Sequence, residues 1–199
     1  MRIGIVSDIH SNDAGLRLAI DRMGDVDELL CAGDVVENCR FSNEVIELLR
    51  QRDARCVLGN HDLGLLTAHG GRARDAATVR KSNVEYLARQ PLSVTVKVDG
   101  KILMMVHASP CEPHTEYVWA GSPELRRLAE IDADYIVLGH THAQMVERVG
   151  RALVINPGSA GEARDPGNQR RLSYAVLDTS QDAVFIDNYE LGDLPSLSG

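Results

Sequence analysis

Runs rich in Val, Ile and Leu alternate along the chain with segments of helical period, and together they predict a mixed α/β fold. Residues 2 to 7 form the short apolar run of a buried strand. Over residues 12 to 23, Leu16, Ala19, Ile20 and Met23 share one face and Asn12 stands where it can cap the first turn, so a helix is predicted. The unit repeats with a strand over 27 to 32, a helix over 43 to 52 carrying Val45, Ile46, Leu48 and Leu49, and a strand over 54 to 58. A third helix is predicted over 75 to 89, ending ahead of Pro91, since the residue before a proline is driven from the helical region.

Strands dominate the second half. "LSVTVKVDGKILMMVH" reads as a hairpin whose two-residue turn is Asp99-Gly100, a pair that tolerates positive φ. In "GSPELRRLAEI", Ser122 caps a short helix and Pro123 takes its first position. The strand "DYIVLG" follows, then strands over 144 to 149, 151 to 155, 172 to 178 and 183 to 188. A Gly-, Pro- and Ser-containing tail over 191 to 199 is expected to be flexible, leaving residues 1 to 190 as a single domain.

At 199 residues, 44% hydrophobic and 25% charged, the chain has the balance of a soluble globular domain with one core. No apolar run approaches the roughly 20 residues of a membrane span, and Met1 leads straight into a strand with no signal peptide, so a soluble cytoplasmic protein with no membrane partner is expected. A formal charge of −8 excludes a broad nucleic-acid surface, which would be basic. An anionic substrate stays compatible with that charge if a metal supplies local positive charge. Cys31, Cys39, Cys56 and Cys111 show no C-x-x-C spacing and argue against a disulfide framework or a zinc ribbon.

The polar residues add a regularity. Asp8 and His10 follow the first strand, Asp34 the second, Asn60, His61 and Asp62 the third, His107 the hairpin's second strand, and His140 and His142 the strand "DYIVLG". In an open α/β sheet the loops past the strand carboxyl ends converge on one crevice. Taken singly, Asp8 or Asp34 fits a turn carboxylate, His107 a core histidine, and Asn60-His61-Asp62 a polar turn. Five independent turns all carrying ligand-type residues fit a site better, and imidazoles with carboxylates suit divalent ions such as Zn, Mn or Fe. His69 and His114 lack this placement and read as loop residues.

The ordered set Asp8-x-His10, Gly33-Asp34, Gly59-Asn60-His61-Asp62, His107 and Gly139-His140-Thr141-His142 resembles the calcineurin-like metallophosphoesterase superfamily. "SNEVIELLR", "HASPCEPHTEYV" and "INPGSAGEARD" are similar to its small bacterial and archaeal phosphodiesterase branch. The resemblance implies a four-layer α/β/β/α fold of two mixed sheets flanked by helices. It also implies two divalent ions (Mn first, with Fe, Zn or Ni as alternatives), one held by Asp8, His10, Asp34 and His142 and the other by Asp34, Asn60, His107 and His140. Two divalent ions against two aspartates and a bridging hydroxide leave about one net positive charge, suited to a phosphodiester monoanion.

In the implied mechanism hydroxide attacks phosphorus in line, His61 protonates the leaving group, and Asp62 orients His61 through a carboxylate–imidazole bond. Protein phosphatases and dinucleoside-tetraphosphate hydrolases extend the second motif as G-D-x-V-D-R-G; here "GDVVENC" has Asn38 where the arginine would fall and Cys39 where the glycine would, which favours the diesterase branch. "ENCRFSNE" also departs from that branch's usual loop. Tyr117, Trp119 and His114 could contact a small phosphate-ester substrate, Tyr117 and Trp119 equally well serving to pin their loop. Arg164 fits either a phosphate contact or a surface salt bridge. Phosphomonoesterase, protein phosphatase or nucleotide phosphatase activity is the alternative chemistry, and homo-oligomerisation is compatible with the family. A non-catalytic interaction scaffold is the competing class, disfavoured by the intact His61.

Overall fold

The computed structural model describes residues 1–193. Its elements run β1 (Arg2–Val6), α1 (Asp13–Met23), β2 (Glu28–Cys31), α2 (Asn43–Gln51), β3 (Arg55–Cys56), α3 (Asn60–Leu66), α4 (Gly71–Arg74) and α5 (Lys81–Ala88). The second half runs β4 (Ser93–Val98), β5 (Lys101–Val106), α6 (Pro123–Arg127), β6 (Tyr135–Val137), β7 (Gln144–Val149), β8 (Ala152–Pro157), β9 (Leu172–Asp178) and β10 (Ala183–Tyr189).

Two mixed five-stranded sheets result, ordered β10-β9-β1-β2-β3 and β4-β5-β6-β8-β7. Strand alternation explains the layering. On β1, Ile3 and Ile5 point into an apolar layer shared with Leu103 and Met105 of β5 and with Tyr135 and Val137 of β6, which joins the sheets face to face. The other face of the first sheet, with Val6, Leu29 and Cys31, packs against α1, α2 and α5 through Leu16, Ile20, Ile46, Leu49 and Leu87. The outer face of the second sheet, with Ile136 and Val154, is covered by Leu125 and Leu128 at α6. Helices, sheet, sheet and helix make the four layers.

Local signals set most boundaries. Asn12 accepts from Gly15 N–H at 2.9 Å and starts α1; the Ser42 and Ser122 hydroxyls accept from Val45 and Leu125 N–H, each at 3.2 Å, and start α2 and α6. Asp99 and Gly100 take φ of 48° and 80°, as a primed hairpin turn needs.

One expectation is corrected, and two further segments are defined. The helix predicted over 75 to 89 is split: only Lys81–Ala88 is helical, because Asn43 holds the preceding segment off the helical path, its amide donating to Thr78 O and its oxygen accepting from Arg80 N–H, both at 2.9 Å. Asn60-His61-Asp62, which taken singly also fits a polar turn, forms the first turn of α3, where Asp62 accepts from Gly59 N–H at 2.9 Å and closes the N-terminus. Of the tail expected over 191 to 199, Leu191–Asp193 form a 3-10 turn and the rest lies outside the described residues. Among the described residues no helix is long and apolar enough to cross a membrane.

Candidate metal centre

β1, β2 and β3 run parallel in one sheet, and β5 and β6 run parallel in the other, so their carboxyl ends can deliver five loops to one edge of the sandwich. The loops meet as their spacing predicts. Asp8, His10 and His142 present ligand atoms within 4.8 Å of one another, and Asp34, His107 and His140 do the same. Asp34 stands between the groups: its Oδ2 lies 3.2 Å from His107 Nε2 and 3.8 Å from His10 Nε2. Asn60 Oδ1 is 3.1 Å from His107 Nε2, which puts its oxygen beside the second group. His142 Nε2 lies 3.4 Å from Asp8 Oδ1 and 3.1 Å from His10 Nε2.

The backbone is strained to achieve this. Asp8, His10, Asp34, His140 and His142 have φ of 52°, 48°, 51°, 66° and 57°, in the left-handed region that non-glycine residues avoid at a cost of about 1–3 kcal/mol each. Close backbone approach adds a second constraint, since a Cβ on Gly59 would sit 2.1 Å from Asp34 Oδ1. Hydrogen bonds then fix the side chains. His61 N–H donates to Asp34 Oδ1 at 2.8 Å, and His140 N–H reaches the Asp8 carboxylate at 3.1 and 3.2 Å. His107 Nδ1 is 2.7 Å from Ala32 O, so it carries the hydrogen and turns Nε2 towards Asp34 and Asn60, where it can serve as a ligand once deprotonated.

Electrostatics favour a cation. Burial pushes His10 down to about 3 and His140 and His142 to about 4, so all three are neutral, the form that binds a metal. Burial would also lower His107, but the Asp34 charge and hydrogen bond outweigh it and raise His107 to about 9. Burial would raise Asp34; His107, its hydrogen bond and His10 instead hold it down at about 2. Asp8 is pushed up to about 7, first by burial and then by Asp34. The donor set of carboxylates, imidazoles and one amide oxygen fits divalent transition ions. A buried His140 Nε2 with no hydrogen-bond partner fits the same conclusion, because an orphaned buried nitrogen at such a site is a lone pair available to a ligand.

The carboxylate–imidazole bond expected between Asp62 and His61 is not made. Asp62 is wholly buried and accepts from the N–H groups of Gly59 (2.9 Å), Val35 (3.2 Å) and Val36 (2.9 Å), tying the loop after β2 to the start of α3. Burial and then Asp34 push its carboxyl up, to about 7, against those three amides. His61 pairs instead with Glu37, Nδ1 to Oε2 at 3.1 Å. The other Glu37 oxygen lies 2.9 Å from His10 Nδ1, without the alignment of a hydrogen bond. Glu37 was missed by sequence reasoning, although it follows Asp34 by three residues in the same loop. Glu162 was missed as well; its Oε2 is 3.9 Å from His10 Nε2, and burial raises its pKa.

Of the substrate candidates, Arg164 forms an ion pair with Glu162 at the rim of the site. His114 is exposed and joins neither ligand group. Tyr117 stacks on His140, ring centroids 4.1 Å apart, and Trp119 lies beyond it at 6.1 Å.

Residues 1–182 match the family model described as the calcineurin-like phosphoesterase superfamily domain. The chain is 33% identical over 148 residues to a symmetrical bis(5'-nucleosyl)-tetraphosphatase of Paracidovorax citrulli, a match covering 67% of this chain and only 51% of that protein. It is 27% identical over 162 residues to a phosphodiesterase of Methanocaldococcus jannaschii, covering 79% of this chain and 83% of that one. Among solved structures, a metallophosphoesterase from Sphaerobacter thermophilus superposes with a TM-score of 0.76 at 25% identity, over 96% of this chain and 89% of the other.

Proposed function

The chain belongs to the calcineurin-like phosphoesterase superfamily, metal-dependent hydrolases of phosphoric esters, and from that membership we propose that it is a dinuclear phosphodiesterase acting on a small phosphate ester. The observation that carries the proposal is the shared carboxylate: Asp34 Oδ2 faces His107 of one ligand group and His10 of the other. Asp8, His10, Asp34 and His142 would hold one ion and Asp34, Asn60, His107 and His140 the second, with manganese the first candidate. Bound divalent ions bring the pKa of water towards neutrality and offset charge on phosphoryl oxygens.

The protein's own contribution begins with position. Asp34 is held by the backbone of the residue that serves the leaving group, because His61 N–H donates to its Oδ1. His61 therefore moves with the ligand set, and its partly exposed imidazole can reach substrate. A carboxylate only accepts, so His61 Nδ1 gives its hydrogen to Glu37 and Nε2 is left to face the departing oxygen. Protonated at Nε2, His61 delivers the proton the alkoxide needs, and Glu37 steadies the imidazolium before transfer. Asp62 supports this geometry through the backbone and touches no reacting group.

Metal-stripped protein, supplied in turn with Mn, Ni, Zn and Mg and assayed on bis(p-nitrophenyl) phosphate, tests the proposal. A metal-dependent rate that falls in His61→Ala with metal content unchanged supports it. Full activity in His61→Ala refutes the role given to His61.

A further inference from the structure

We propose that Tyr117 and Trp119 form a stacking shelf for a planar base, so that the ester cleaved at the metal centre carries a nucleoside. The inference rests on the phosphodiesterase reading and names its substrate class. Residues 116 to 119 show how the loop is built. Glu116 is paired with Arg127 at the end of α6, and Val118 is buried in the core layer beneath the second sheet with Leu125 and Leu128. The intervening residues face outward, Tyr117 52% and Trp119 48% exposed. Burial alternates from 116 to 119, so the two inward anchors set the direction of the two rings between and beyond them. Glu116 and Val118 therefore pin the loop, and about half of each aromatic side chain is left in water.

The rings are ordered with respect to the site. Tyr117 lies against the His140 imidazole with planes 28° apart, and Trp119 lies beyond with its plane only 8° from that of Tyr117. A run of near-parallel ring planes thus starts on a candidate metal ligand and leads outward. A phosphate held at the ligand groups would leave its base one sugar away, and the rings that begin on His140 are the aromatic surface adjoining that place. Flat, parallel, exposed rings suit a rigid planar π-system better than a flexible acyl chain, and stacking of this kind accepts any base.

Trp119 is the single tryptophan of the chain, so its emission reports the shelf directly. Full-length, Mn-loaded protein is titrated with AMP and with ribose 5-phosphate, which differ only in the base. The proposal predicts a saturable change in Trp119 emission with AMP alone, and AMP affinity about tenfold to a hundredfold above that of ribose 5-phosphate. By calorimetry, Trp119→Ala and Tyr117→Ala bring AMP close to the affinity of ribose 5-phosphate, and Trp119→Phe restores most of the difference. Equal affinities in the wild type, or a preference that survives both alanine variants, overturn the proposal. So does a Trp119→Ala protein that passes from dimer to monomer in light scattering with its base preference intact, since the rings would then serve self-association. Diester hydrolysis with no base preference overturns the shelf alone, whereas base preference without hydrolysis of any ester overturns the phosphodiesterase reading alone.

Discussion

Glu37→Gln is the perturbation that best separates the two carboxylates near His61. Glutamine keeps the shape of Glu37 but removes the charge from a bond of 3.1 Å to His61 Nδ1. Hydrogen bonds to charged groups contribute about 1.5–3 kcal/mol, and the side chains of Glu37 and His61 are 17% and 25% exposed, so partial screening favours the lower half of that range. If the bond steadies the imidazolium, kcat falls about tenfold to thirtyfold. Glu37 Oε1 also lies 2.9 Å from His10 Nδ1 without the alignment of a hydrogen bond, so removing its charge beside a candidate ligand should lower metal affinity by at most about tenfold. The assay is kcat on a chromogenic diester across a Mn titration, with metal content by mass spectrometry: the affinity effect vanishes at saturating Mn and the kcat effect persists. Asp62→Asn should behave in the opposite way. It disturbs three buried N–H contacts at a cost of about 2–5 kcal/mol, lowering the melting temperature by roughly 5–15 °C. Wild-type kcat in Glu37→Gln at saturating Mn, together with lost kcat and an unchanged melt in Asp62→Asn, would refute the assignment of Glu37 as the partner of His61.

Other consequences follow from the same geometry. His61→Ala keeps its backbone N–H on Asp34, so metal content should stay at the wild-type value while kcat falls about 10²- to 10⁴-fold; Asn60→Ala should instead lower occupancy of the second site, read by metal analysis after gel filtration. Metal uptake should release protons: His107, raised to about 9, must lose its proton to bind, so below pH 9 affinity for the second ion falls about tenfold per unit as pH drops, and below about 7 Asp8 adds the same requirement at the first site. For the metal-free protein the sign is reversed, because a raised histidine stabilises the fold fully below its unfolded value near 6.5 and loses that contribution as pH rises through about 9. Melting of chelated protein should therefore decline over that window, and a rise would contradict the pairing of His107 with Asp34. Gly59→Ala should abolish metal binding or folding, since its Cβ would fall 2.1 Å from Asp34 Oδ1; an active, metal-replete alanine variant would show the close approach to be relaxed.

Strand-end positions made the ligand set legible. Asp8, Asp34, His107 and His140 each follow a short, dense apolar run that reads as a buried strand, and parallel pairing brings such ends together. α3 was not legible because Gly64 interrupts "NHDLGLL" and its N-terminus is closed by Asp62, a residue that sequence reasoning gave to His61. The break before α5 is set by Asn43, some 35 positions upstream, and contacts of that range leave no periodic trace. Glu37 could have been found by asking which carboxylates share the Asp34 loop. Glu162 depends on how the loop after β8 folds back over His10, which only tertiary packing decides. The left-handed φ values at five ligands are only faintly written in the sequence, since aspartate and histidine are enriched in that region but occupy it at a small minority of positions.

A phosphodiesterase built on two divalent ions that share Asp34 needs both ions for turnover. Stripped protein titrated with Mn, with bound metal per chain and bis(p-nitrophenyl) phosphate hydrolysis measured on the same samples, tests it most directly. No hydrolysis is expected without metal, and the rate should rise until two ions per chain are bound, with Asp34→Asn binding poorly at both sites. Two bound ions with no hydrolysis of any phosphodiester, or hydrolysis undiminished after complete chelation, would contradict it.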